Sequence, residues 1–334
     1  RVDFPVDVTD NTTGNGRFDY RTPSDFEQEE GHVIDQSPHD RRYFERHLAA
    51  MNAYYEAVSY GQFSTTARVV PNELQAAFTL PNQMEYYSPD VDFFNPLKLE
   101  RLVDFVTDAF AAADHDSTID FSNYDAFIIF HAGSDLQHDH LQDSPSDLQS
   151  GFLRIGDERS PIRVDEGTVE IREIILMPET TSQDSNLGAL NVTLAHEFGH
   201  QLGLPDLYST FSYAPGVGTF DLMDLESGTV DIGESGQQIV TGIMPPYFSA
   251  WTRAFLGWIT PVEVTSDSVA ITLLTVNTQA IGTKVIKVPI APGEYFLIEN
   301  RQTDLDGDGV AFLNFVDGIV IGPSDINKQP NLEY

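Results

Sequence analysis

The chain has 334 residues, 41% of them hydrophobic, enough for one large core or two modest ones. Its 18 basic and 52 acidic residues give a net charge of −34, and only four of the basic residues are lysines, Lys98, Lys284, Lys287 and Lys328. That balance repels nucleic acid and anionic membrane, no run reaches the ~20 apolar residues of a membrane span, and the lack of cysteine excludes thiol catalysis, disulfides and Cys-ligated zinc.

Acid excess on this scale keeps a surface soluble in salt and attracts divalent cations. The chain has no initiator Met and no signal-like segment, as expected for a mature or trimmed portion. Without cysteines, the usual sign of an oxidising compartment is missing, so secretion must be argued from other residues.

In chain order, Val2 to Val8 reads as a short strand, followed to about residue 40 by a polar loop rich in Asn, Gly, Asp and Pro. Phe44, Leu48, Met51, Tyr55 and Val58 recur at helical spacing, predicting an amphipathic helix from Arg41 to Tyr60 that stops at Gly61. A second helix is expected over about 97–113, with Leu99, Leu102, Val103, Val106 and Phe110 on its buried face. Ala126–Phe130 suits a central strand, and Val169–Met177 is a further strand candidate ending at Pro178. Asn186–Leu202 reads as a helix with the apolar stripe Leu187, Leu190, Leu194, Phe198 and Leu202. Pro245–Gly257 looks helical, with Phe248, Trp251 and Phe255 facing inward. Alternation in Val269–Thr275, Lys284–Ile290 and Glu294–Ile298 argues strands. There is no internal repeat or clear linker. The fold class expected is α+β in a single domain over 1–334, with an upper mixed part over about 1–203 and a lower strand-rich part over about 204–334.

Residues 196–206, His-Glu-Phe-Gly-His-Gln-Leu-Gly-Leu-Pro-Asp, carry the chemistry. On a helix His196 and His200 project from one face and can share one Zn²⁺. Glu197, beside the first histidine, is placed to act as general base on a water. Gly203 can take the positive φ that ends the helix and turns the chain back, bringing Asp206 round as third ligand. A fourth position stays open, as a catalytic zinc requires. Carboxylate oxygen binds zinc about as closely as imidazole nitrogen, and Glu299 is the reserve ligand should the shorter Asp206 not reach. No serine-hydrolase elbow or P-loop competes.

Asp304, Asp306 and Asp308 form a D-x-D-x-D-G opening suited to calcium, although Phe315 stands where an EF-hand has its bidentate Glu. Asp114, Asp116, Asp120 and Asp125 make a second acidic cluster. Solvated turns are the alternative for both.

The chain resembles the M6 metallopeptidases, the immune inhibitor A group of secreted bacterial proteases and a metzincin-type zincin family. The resemblance rests on His196 to Tyr208, Gly218-Thr-Phe-Asp-Leu-Met-Asp224, Pro246 to Trp258 and Tyr295-Phe-Leu-Ile-Glu-Asn-Arg-Gln302. Weaker matches are Ser59-Tyr-Gly-Gln-Phe63 and Ile119 to Asp125. It implies a zincin-like fold with the metal helix at a cleft between the two parts. It also implies Met223 as a Met-turn, a methionine that floors the zinc site without ligating it. Tyr208 is a candidate donor to the oxyanion, with packing as the alternative. Glu299, among apolar neighbours, needs a partner; pairing with Arg301 or Arg253, or orienting a ligand from behind, ranks above direct ligation. The resemblance departs after Gln302, where no His-x-Asp segment follows.

The resulting expectation is a secreted or cell-surface zinc endopeptidase with one catalytic zinc, calcium as a further cofactor, and protein or peptide substrates. The alternative is a calcium-bound adhesion module on a silent zincin scaffold, against which the intact His196, Glu197 and His200 weigh. Cleavage specificity and oligomeric state are not encoded legibly.

Overall fold

The computed structural model describes residues 1–7, 11–22, 35–92, 95–224, 230–232, 238–266 and 270–302. It divides into two compact units, one of residues 1–48 with 67–190, the other of residues 49–66 with 191–334. The division falls just before the metal helix, which belongs wholly to the second unit.

The first unit is built on β1 (Val2–Asp3), β2 (Phe78–Thr79), β3 (Ile128–His131), β4 (Gly151–Arg154), β5 (Ile162–Val164), β6 (Val169–Ile171), β7 (Glu173–Pro178) and β8 (Leu187–Gly188). Its helices are the start of α1 (Arg41–Val58), then α2 (Met84–Tyr87) and α3 (Pro96–Asp114). Five strands form one sheet in the order β2-β1-β3-β7-β4. β1, β2, β3 and β7 are mutually parallel, and β4 runs antiparallel to β7. As the continuous apolar run foretold, β3 is central. Phe4, Phe44 and Phe130 are buried against it, with Phe44 and Phe130 rings 4.6 Å apart.

Two expectations are corrected here. The segment 169–177 is not one strand: Arg172 interrupts it, β6 pairing with β5 in a hairpin while β7 joins the main sheet. β7 has a neighbour on both sides, so it offers no edge to an added strand; among the described residues that sheet's edges are β2 and β4. α3 buries Phe105, Val106, Ala109 and Phe110 while Leu99 is exposed, because the stripe begins a turn and a half later than the apolar residues do. Asn95 caps this helix by accepting from Leu97 N, with Pro96 at its first position.

The second unit holds the end of α1, α4 (Asn191–Gln201), β9 (Val230–Ile232), β10 (Gln238–Thr241), α5 (Ala250–Phe255), β11 (Val262–Glu263), β12 (Val285–Ala291) and β13 (Glu294–Glu299). β9 and β10 pair antiparallel; β12 pairs with β13 antiparallel and with β11 parallel. Residues 270–274 form no strand, and Thr275 makes a single bridge to Asn300. Val269 lies outside the described residues. The core around α4 is aromatic: Tyr55 packs its ring against Phe63, Phe198, Phe248 and Trp258.

α5 turns opposite to expectation. Phe248 is buried, but Trp251 and Phe255 are outward and stack on one another at 5.2 Å. The inward positions are Ala250, Thr252 and Arg253. Arg253 is fully buried because its guanidinium has partners waiting: it donates to Glu299 and to the Tyr60 hydroxyl. The mixture of helices and sheets is α+β.

Candidate metal centre

α4 starts at Asn191, five residues later than its apolar stripe suggests, because Leu187 and Gly188 are taken into β8. Its start is tied down by Val192 N donating to Gly242 O and Asn191 Nδ2 donating to Ile243 O. Val192, Leu194, Ala195, Phe198 and Gly199 are buried, and Tyr55 donates its hydroxyl to Ala195 O at 2.6 Å. That fixes the rotation of the helix and leaves His196, Glu197 and His200 on the half-buried face.

The helix ends by a full Schellman motif. Gly203 has φ +87°, Leu204 N bonds Gly199 O and Gly203 N bonds His200 O. Nothing lies within 4 Å of a Cβ built on Gly203, so the glycine is there for its backbone conformation, not for space. The turn carries Asp206 back over the two histidines.

His196 Nε2 lies 3.2 Å and His200 Nε2 3.3 Å from the same oxygen, Asp206 Oδ1. Each histidine uses its other nitrogen on a backbone carbonyl: His196 Nδ1 with Leu222 O and His200 Nδ1 with Leu204 O, both at 2.8 Å. Those carbonyls require Nδ1–H donors, which leaves two Nε2 lone pairs and a carboxylate oxygen converging on one point. Three acceptors so placed need protons or a cation between them. Donors ~2.0–2.1 Å from a tetrahedral zinc are about 3.4 Å apart, so the spacing fits that ion without contraction.

The electrostatics agree. Burial alone lowers the pKa of both histidines, but the Asp206 hydrogen bond and the Glu197 charge outweigh it and raise both. Burial would raise Asp206, yet its two imidazole partners hold it well below the usual carboxylate range. Tyr208 is raised by burial and by the Asp206 carboxylate, to which its phenol is hydrogen-bonded. Its ring stacks over His196 at 6.5 Å and over Tyr213 at 6.3 Å.

Met223 is fully buried beneath the helix, its Sδ 2.5 Å from where a Cβ on Gly199 would stand. Its N–H donates to Asp221 Oδ1 and its carbonyl accepts from Leu207 N. Asp224 closes the same turn, its Oδ2 accepting from Gly216, Val217 and Gly218 N–H groups at 2.6 to 2.9 Å. Asp221, Asp224 and Tyr55 escape sequence reasoning. The available signal was two acids flanking apolar Leu222 and Met223, where each needs donors.

Glu299 is elsewhere. It takes Arg253 on Oε2 and Arg301 Nε on Oε1 at 2.6 Å, which is the ion-pair alternative, and it is not in the histidine grouping. Asp304, Asp306 and Asp308 lie outside the described residues. Asp114, Asp116 and Asp120 each accept backbone N–H groups of nearby turns, from Asp165, Thr118 and Ser122. The other acidic grouping among the described residues is Asp139, Asp143 and Asp184, of which Asp139 and Asp184 likewise cap backbone N–H groups.

Residues 158–259 match the family described as immune inhibitor A peptidase M6, catalytic domain. That match supports an M6-family reading of the chain. The M6 match covers somewhat under a third of the chain but includes His196, Glu197, His200, Asp206, Tyr208 and Met223. No curated protein matches the chain. No helix among the described residues is long and apolar enough to cross a membrane.

Proposed function

We propose that the chain is an M6-family peptidase, a secreted zinc endopeptidase whose metal is held by His196, His200 and Asp206 and whose general base is Glu197. The observation that carries the reading is the convergence of three acceptor atoms on one point, with both imidazoles oriented from behind by backbone carbonyls. When bound, zinc supplies Lewis acidity, polarising a carbonyl and lowering the pKa of water toward ~7.

The chain's own groups do the rest. The Leu222 and Leu204 carbonyls hold both imidazoles in one tautomer, so neither ring has to reorient during turnover. Asp206 stays ionised throughout. Glu197 takes a proton from the water that attacks the scissile carbonyl and delivers it to the departing amine nitrogen. Tyr208, beside Asp206, is placed to donate to oxygen as negative charge develops there. Met223 presents no donor toward the site and serves as its apolar floor. Secretion is supported by family likeness, in a chain whose acid excess suits salt and divalent cations.

The test is metal analysis joined to casein cleavage. One zinc per chain, activity lost on chelation and recovered with zinc, and zinc binding lost in His200→Ala are expected. Cleavage indifferent to chelation, or no zinc bound, overturns the reading.

A further inference from the structure

All three proposed ligands are tied to one short segment, residues 221–223. His196 Nδ1 donates to Leu222 O, Leu207 N, next to Asp206, donates to Met223 O, and Gly199, next to His200, rests on Met223 Sδ. The side chain that anchors that segment to Ser249 and Thr252 is Asp221. Asp221 is fully buried; Oδ1 accepts from Met223 N at 2.9 Å, and Oδ2 accepts from Ser249 N at 2.8 Å and from the Thr252 hydroxyl.

We propose that Asp221 is the positioning residue of the metal centre: anchored on Ser249 and Thr252, it aims the Leu222 carbonyl at His196 Nδ1 and thereby the His196 Nε2 toward the ion. This rests on the reading that the site holds zinc. Every group facing the carboxylate is a donor, so only an acceptor with two free oxygens suits the position. Asn is nearly isosteric but sets an NH₂ against either Met223 N–H or the Ser249 and Thr252 donors, and the turn must shift to separate them.

The effect reaches the metal without touching it. Groups that orient a ligand from behind are worth roughly 10- to 100-fold in metal affinity. Asp221→Asn is therefore expected to weaken zinc binding by about that factor and to alter the visible absorption of the Co²⁺-loaded protein, which reports ligand geometry. A merely structural acid would lower the melting temperature of the metal-free protein and leave that spectrum alone.

The experiment is zinc competition titration and Co²⁺ spectroscopy on wild type, Asp221→Asn and Thr252→Val, with the metal-free melting temperature recorded for each. Thr252→Val removes one anchor while keeping the carboxylate and the shape. It is expected to weaken zinc by several-fold with a smaller spectral change, and it decides the matter should Asp221→Asn not fold. Zinc affinity within twofold of wild type and an unchanged Co²⁺ spectrum overturn the role of Asp221 while the zinc reading stands. Wild type that binds no zinc overturns both.

Discussion

Gly199 and Met223 meet so closely that no side chain fits between them, a Cβ on Gly199 falling 2.5 Å from Met223 Sδ. The glycine inside His-Glu-Phe-Gly-His is thus required by the methionine 24 positions on. Gly199→Ala gains helix propensity of roughly 1 kcal/mol but must displace a buried side chain, which costs about 1–3 kcal/mol. We expect a net fall in melting temperature with weaker zinc binding. Co-substitution Met223→Ala should recover part of both, and an undisturbed Gly199→Ala protein would contradict the packing.

Zinc binding should depend on pH in a defined direction. In the metal-free protein the raised histidines stabilise the fold fully below their unfolded pKa of about 6.5 and lose that contribution as pH rises through their folded values. Depressed Asp206 contributes above its unfolded value near 3.9 and loses that as pH falls through its folded one. The Asp206–histidine contacts are therefore fullest between about pH 4 and 6.5. Zinc needs the same nitrogens deprotonated, so binding releases protons and weakens below neutrality. Calorimetric titration at pH 6 and pH 8, in buffers of different ionisation enthalpy, should show tighter binding at pH 8 and proton release at pH 6. Equal affinity at both would exclude the histidines as ligands.

Glu299 separates stability from metal binding. Its carboxylate is the partner of fully buried Arg253 and of Arg301. Glu299→Gln leaves buried cations uncompensated, which costs about 3–5 kcal/mol. We expect a large drop in melting temperature with zinc affinity of the surviving folded protein unchanged. A selective loss of zinc at unaltered stability would return Glu299 to the ligand set.

How far the residues alone lead differs between the fold and the site. His196, His200, Gly203 and Asp206 were legible because helical spacing and a glycine stop signal are local, and the distances follow from them. The face of α5 was not. Trp251 and Phe255 share a face as periodicity says, but which face is buried was decided by Arg253, whose partners Tyr60 and Glu299 are remote in sequence. Segment 169–177 reads as one strand, yet Arg172 marks where the chain exchanges one partner strand for another. The acceptors that orient the histidines are backbone carbonyls of Leu222 and Leu204, and a leucine's identity says nothing about where its carbonyl points.

The central claim is that Glu197 moves the proton in a zinc-dependent hydrolysis, and Glu197→Gln tests it most directly. The substitution keeps shape and removes basicity, so zinc content should stay at one per chain while kcat for peptide cleavage falls about 10²- to 10⁴-fold. A zinc-loaded Glu197→Gln protein that cleaves at the wild-type rate would contradict the account.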